Sequence, residues 1–363
     1  MKIAIMAPLV TPIREPQRGG SQAFVADLAR GLTDRGHEIH VYAATGSQIP
    51  GVRVVDTGVD SRSLASTLYR ADAAPTANFT AAEAAFSAAY ARVQQTRYDV
   101  IHNHAFDPPA VQLATMLPSP VAHTLHLPPD KRMAAELSLA ARGTSRPAVA
   151  VVSQSQATAW RQVTPVDAVL PPYVPTGLIA FAPAASHGVG AVFAGRFSPE
   201  KGVAEAIDIA LAAGIPIDVY GDSYDDDYTK AEVDSRRALA GVTVHPGVPR
   251  TLLWTALANA SVVLCPAKWD EPFGMVAAEA QACGTPVVAF NRGGLSEVIV
   301  DGVTGFLVRP DDVGGAAEAV RHVQALSRRA CRQHAERNLD FGRTLDAHEQ
   351  FYRQVANGGA VNG

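Results

Sequence analysis

The feature that most limits the folds open to this chain is a strand-helix-strand alternation that occurs twice, first from residue 2 and again from residue 191. Residues 2–7 are a β-type apolar run, and residues 21–35 show helical spacing through Phe24, Val25, Leu28 and Leu32. Gly36 closes that helix, and residues 38–43 are strand-like again. Strands joined through a helix lie parallel, because the crossover returns the chain to the same end of the sheet. Further short strands are expected at 98–102, 121–125 and 148–153, with an alanine-rich helical stretch at 61–96 broken near Pro75.

Residues 170–190 hold four prolines and three glycines with little periodicity, the composition of a junction. Beyond it the alternation restarts: a strand at 191–195, a helix at 199–213, and strands at 217–221, 242–245, 262–265 and 286–290. A charged helical tail follows at 316–355. A length of 363 residues suits two cores. The expected architecture is α/β, with two Rossmann-like parallel domains, 1–172 and 173–340, facing across a cleft. A final helix, about 341–363, is expected to pack back on the first domain.

A net charge of −4 leaves no footprint for nucleic acid, and no lysine-rich run marks an anionic membrane surface. Cys265, Cys283 and Cys331 form no Cys-x-x-Cys pair, so neither a disulfide framework nor a zinc site is indicated. The first ten residues lack a credible signal-cleavage site and are taken as a buried strand. No apolar stretch approaches the roughly 20 residues of a membrane helix. A cytoplasmic protein with small-molecule partners is expected, and homo-oligomerisation is left open.

Two segments carry the chemistry. The run Gly195-Arg196-Phe197-Ser198-Pro199-Glu200-Lys201-Gly202 follows a strand, with Ser198 suited to an N-cap and Pro199 to a first helical position. Ligands of open α/β sheets bind beyond the carboxyl ends of strands, so Arg196 and Lys201 are placed to meet an anion such as a diphosphate. The alternative is an ordinary pair of surface cations. The second segment is Glu271-Pro272-Phe273-Gly274-Met275-Val276-Ala277-Ala278-Glu279. Pro272 biases Glu271 away from helical angles, so Glu271 belongs to a loop, while a helix beginning near Phe273 or Gly274 carries Glu279 about two turns in. The amides of residues 274–276, with no acidic side chain in that turn, form a phosphate cradle. Glu271 can then reach sugar hydroxyls and Glu279 a ribose diol. The competing reading makes both ordinary solvated carboxylates.

On these residues the chain resembles glycosyltransferase family 4, retaining nucleotide-sugar enzymes of the GT-B fold. The resemblance also includes Gly19-Gly20 with the following 21–41 segment, Asp99-Val100-Ile101-His102-Asn103-His104, Thr124-Leu125-His126, Val152-Ser153-Gln154-Ser155, and the stretch from Gly284-Thr285-Pro286 to 301–308. It implies that the first domain binds the acceptor and the second the donor. Arg196 and Lys201 would hold the diphosphate and stabilise the departing nucleotide, helped by backbone amides of Gly274, Met275 and Val276. Glu271 would hold the transferred sugar and Glu279 the ribose. Phe273 would line the donor site, and the segment around His245 to Val248 would flank the base. His126 would lie beside the sugar's reacting face. Gly19 and Gly20 would let the first loop approach the donor or acceptor. A UDP-sugar is the expected donor and a small-molecule or glycan hydroxyl the acceptor. No metal or other cofactor is expected, because Arg and Lys replace a cation. Residues 46–97 match least.

His102 and His104 share a strand face, and with Asp107 or His126 they have the residue types for a metal site. Lining the acceptor site or satisfying local hydrogen bonds is the preferred reading. The acidic group Asp222, Asp225, Asp226 and Asp227 reads as a solvated loop, and Trp269 as either a sugar contact or a packing residue. A Rossmann dehydrogenase is disfavoured by the absence of Gly-x-Gly-x-x-Gly after the first strand. The remaining rivals are a nucleotide-sugar epimerase, a sugar phosphorylase and a non-catalytic nucleotide-sugar-binding partner subunit.

Overall fold

A computed structural model describes residues 1–67, 79–142, 146–185 and 190–358. The chain divides into two compact units, one comprising 1–14, 20–171 and 344–363, the other 15–19 and 172–343. The expected break near Pro75 lies outside the described residues.

The first unit is built on a seven-stranded sheet: β1 (Lys2–Met6), β2 (Glu38–Ala43), β3 (Arg53–Asp56), β4 (Val100–Asn103), β5 (Val121–Leu125), β6 (Ala148–Val151) and β7 (Ala168–Val169). Its order is β3-β2-β1-β4-β5-β6-β7, and every pairing is parallel. The central strands are buried on both faces, which explains why they read as unbroken apolar runs rather than alternating ones. The helix Gly20–Asp34 buries Phe24, Val25, Leu28 and Leu32, the residues whose spacing forecast it. Side chains of that kind contribute roughly 1.5–3 kcal/mol each on burial. Gly36, at φ +85°, takes the left-handed backbone that ends the helix.

The second unit carries β8 (Ala191–Ala194), β9 (Ile217–Tyr220), β10 (Val242–His245), β11 (Val262–Cys265), β12 (Val287–Phe290) and β13 (Gly305–Val308) in the order β10-β9-β8-β11-β12-β13, again all parallel. Its core joins Phe193, Ile207, Val219, Leu264, Val288 and Phe290. Strand order reverses between β8 and β11, so the loops leaving these two strands diverge from neighbouring carboxyl ends. A parallel α/β sheet opens its ligand crevice there. Topology alone therefore brings residues 195–202 and 266–274 together.

The tail forms three α-helices, Val313–His322, Arg328–Asn338 and Phe341–Ala356. The last begins within the second unit and continues, from Thr344, within the first. No helix among the described residues is long and apolar enough to cross a membrane.

Candidate functional site

The turn after β8 differs from the expected continuous helix over 199–213. Ser198 is extended at φ −150°, Pro199–Lys201 make a single 3₁₀ turn, Gly202 breaks it at φ +70°, and the α-helix runs only over Val203–Ala213. The break is forced by packing, because a Cβ on Gly202 would lie 2.0 Å from the Pro266 carbonyl oxygen at the end of β11. This close approach seats the Arg196–Lys201 turn against the loop that carries Glu271.

Lys201 and Glu271, 70 residues apart, are consequently in contact: Nζ donates to both carboxylate oxygens, at 2.9 and 2.7 Å. Trp269 Nε1 donates to the same carboxylate at 2.7 Å, and Lys201 Nζ lies 4.8 Å from the Trp269 ring centroid. Trp269 is thus a buried residue that orients Glu271. Arg196 Nη2 reaches Glu200 at 3.1 Å and its guanidinium stacks 4.1 Å from the Tyr224 ring. Both cations keep about a fifth of their side-chain surface, 22% each, open to an incoming anion.

The Glu271 loop is held from the other side by residues that sequence reasoning passed over. Gly294 N donates to the Glu271 carbonyl at 2.7 Å, and a Cβ on Gly293, whose φ is +58°, would stand 2.3 Å from that oxygen. The helix Met275–Cys283 starts after Gly274, at φ +103°. Glu279 is therefore its fifth residue, just over one turn in rather than two, because the left-handed Gly274 delays the start. The first-turn amides from Met275 onward face no acidic side chain. Phe273 is buried against Tyr173, with ring centroids 5.8 Å apart, while Met275 and Val276 are half-buried.

Glu279 is buried and paired with Arg250, whose Nε lies 2.5 Å from Oε1. No feature of the sequence flagged this partner. Val248 lies half-buried in the loop between β10 and the helix Arg250–Asn259. Beside that loop His245 stacks on Tyr220 at 4.4 Å and reaches Asp218 at 2.7 Å, on one wall of a cleft of about 350 Å³ also lined by Phe197, Asp222, Ser223 and Pro246. In the acidic group, Asp225 caps Tyr228 N and Asp226 accepts from Ser223 within their own loop, while Asp222 accepts from Gly247 N in the loop after β10.

In the first unit, Gly20 opens the helix Gly20–Asp34 and Gly19 precedes it; neither adopts a left-handed backbone. His102 is fully buried with both ring nitrogens engaged, 2.7 Å from the Tyr352 hydroxyl and 2.7 Å from Thr124 Oγ1. His104 Nδ1 lies 2.9 Å from His126 Nε2, and its own Nε2 is buried without a hydrogen-bond partner. Phe24 packs 5.9, 5.8 and 5.7 Å from the rings of His104, His126 and His348. Burial removes the solvation a cationic imidazole needs, pushing His126 down to about 3 and His348 to about 4, and holding His102 and His104 well below the usual histidine range. These rings are neutral at pH 7. Among the described residues, no three His, Cys, Asp or Glu side chains are grouped to hold a metal ion.

Residues 188–338 match the family described as glycosyl transferases group 1, and residues 18–178 the one described as Glycosyltransferase Family 4. The chain is similar to a D-inositol 3-phosphate glycosyltransferase of Kribbella flavida, with 30% identity over 88% of this chain and 86% of that protein. A glycogen synthase of Mycobacterium tuberculosis is 34% identical over 46% of this chain, a match that spans only 43% of that enzyme. Among solved structures, Anabaena Alr3699/HepE, in complex with UDP and glucose, superposes with a TM-score of 0.74 at 20% identity, covering 98% of this chain and 100% of that one.

Proposed function

The chain belongs to glycosyltransferase family 4 and is a transferase of the GT-B fold, and on that premise we propose that it moves a hexose-type sugar from a nucleotide sugar to an acceptor hydroxyl with retention of anomeric configuration. The observation that carries this reading is the meeting of Lys201 and Glu271, with Arg196 on the same turn, at the reversal point of the second sheet. Arg196 and Lys201 take the donor diphosphate, together with the amides that open the helix Met275–Cys283. Glu271, fixed by Trp269, accepts from sugar hydroxyls, and Glu279 from the ribose. A UDP-sugar is the preferred donor, in keeping with the UDP bound by the Anabaena protein. A small polyol or glycan is the preferred acceptor, in keeping with the name of the Kribbella relative.

In a retaining front-face substitution, the bond from the anomeric carbon to the phosphate oxygen breaks as the acceptor oxygen bonds to the same face, and the acceptor proton passes to the departing phosphate. Negative charge grows on the diphosphate, so preorganised cations and amides there stabilise the transition state more than the ground state. No divalent ion is needed for that charge, and no protein nucleophile enters. His126, its ring kept neutral at pH 7 by burial, is assigned a hydrogen-bonding role rather than a charged one.

The test is a screen of UDP-, GDP- and ADP-sugars for thermal stabilisation, followed by pooled acceptors with the best donor and product mass as the readout. Transfer undiminished by chelator is expected. Turnover without an acceptor would point to an epimerase, binding with no transfer to a non-catalytic partner subunit, and strict recovery by Mg²⁺ or Mn²⁺ would end the metal-independent mechanism.

A further inference from the structure

The partner of Glu279 gives the nucleoside end of the site a second residue. Arg250 opens the helix Arg250–Asn259 and Trp254 follows four residues on; Glu279 sits in the helix Met275–Cys283 with Cys283 four residues on. Residues at that spacing share a helix face, and the two faces meet. Arg250 Nε donates to Glu279 Oε1, the guanidinium lies 5.0 Å from the Trp254 ring, and Cys283 Sγ donates to the Trp254 carbonyl at 3.4 Å. Arg250 N donates to the Glu15 carboxylate at 3.1 Å, which fixes the start of its helix. The paired side chains retain only 11% and 5% of their surface.

A buried carboxylate does not exchange a guanidinium for a neutral hydroxyl, because the charge-assisted bond is the stronger. An arriving ribose therefore meets the pair intact. We propose that Arg250 is a positioning and specificity residue of the nucleoside subsite. It holds Glu279 through Oε1, fixes the carboxylate plane for the ribose hydroxyls, and so makes the site select a ribonucleotide over its 2′-deoxy counterpart. The inference rests on the assignment of Glu279 to the ribose in the proposed function.

Calorimetry on the full chain with UDP, GDP and ADP identifies the tightest nucleoside diphosphate, which is then compared with its 2′-deoxy form on the wild type, Arg250→Ala and Arg250→Gln. A hydrogen bond to a charged group corresponds to roughly 10- to 100-fold in affinity. The wild type should prefer the ribonucleotide by at least about tenfold, and Arg250→Ala by no more than about threefold, with deoxynucleotide affinity nearly unchanged. Arg250→Gln keeps a hydrogen-bond donor without the charge, and should fall between them. It also stands in if melting shows that the alanine variant fails to fold. An unchanged ratio in a folded variant overturns the inference alone, including the case where both nucleotides weaken by one factor, as a purely structural residue would produce. A wild type that binds no nucleotide, or binds the ribo and deoxy forms alike, overturns the ribose assignment of Glu279 and this inference with it.

Discussion

Replacing Gly293 by alanine tests whether the position of Glu271 is set by backbone packing rather than by its own side-chain contacts. The new Cβ would stand 2.3 Å from the Glu271 carbonyl oxygen, 2.5 Å from Glu271 N and 2.6 Å from the Asp270 carbonyl carbon, where ordinary contacts begin near 3.4 Å. All three obstacles are backbone, so no side chain can swing aside, and the loop must retreat by about 1 Å. A displacement of that size at a substrate-positioning group costs on the order of 100-fold in turnover. The left-handed φ adds roughly 1–2 kcal/mol of instability. Gly302→Ala separates the two effects, because Gly302 also has a positive φ, +71°, but a Cβ there meets nothing within 4 Å. Both variants should melt slightly earlier. Only Gly293→Ala should lose transfer, while nucleoside diphosphate binding through the Arg250–Glu279 pair stays within about threefold in calorimetry. Wild-type turnover in Gly293→Ala, or an equal loss in Gly302→Ala, would refute the reasoning.

Two further outcomes concern stability. His123 and His348 are buried, with pKa values pushed down to about 4, so the unfolded chain binds protons that the folded one refuses. Their contribution is complete above about pH 6.5 and declines as pH falls toward 4, by up to about 1.4 kcal/mol per pH unit for each ring; urea unfolding at pH 7, 5.5 and 4.5 should show the decline, and a flat profile would contradict it. Arg328 donates to the carbonyls of Ala182, Ala258 and Ala260 and to Thr285 Oγ1. Arg328→Met leaves all four acceptors without it and should destabilise by about 3 kcal/mol or more, read as a lower urea midpoint with an unchanged slope.

The strands were legible in the sequence because parallel strands buried on both faces are short apolar runs, and β2, β5, β10 and β11 coincide with the expected spans. β3, with its exposed Arg53 and Asp56, and the two-residue β7 lie at opposite sheet edges, where half-burial leaves little pattern to read. Within the candidate site, residue types and the placement of Glu271 on a loop could be argued from Pro272. Close approaches could not. Nothing local to Gly202, Gly293 or Arg250 announces Pro266, Glu271 or Glu279, since each contact depends on two loops or helices brought together by the sheet order. Spacing put His102 and His104 on one face, and their rings do lie 4.0 Å apart. It could not tell that Tyr352, 250 residues from His102, would occupy one of the ring nitrogens.

That last contact carries a consequence for how the chain is made. Tyr352 lies on the helix Phe341–Ala356, whose Thr344 hydroxyl also donates to the Pro171 carbonyl at 2.8 Å. The first sheet thus gains one of its covering helices from residues synthesised after the whole of the second unit, which is in effect an insertion within the first. During translation the second unit can finish folding while the earlier one still waits with His102 uncovered. A single proteolytic cut near residue 172 would not yield two self-sufficient halves: the amino-terminal fragment would lack its last helix, and the carboxy-terminal fragment would carry that helix with nothing to cover.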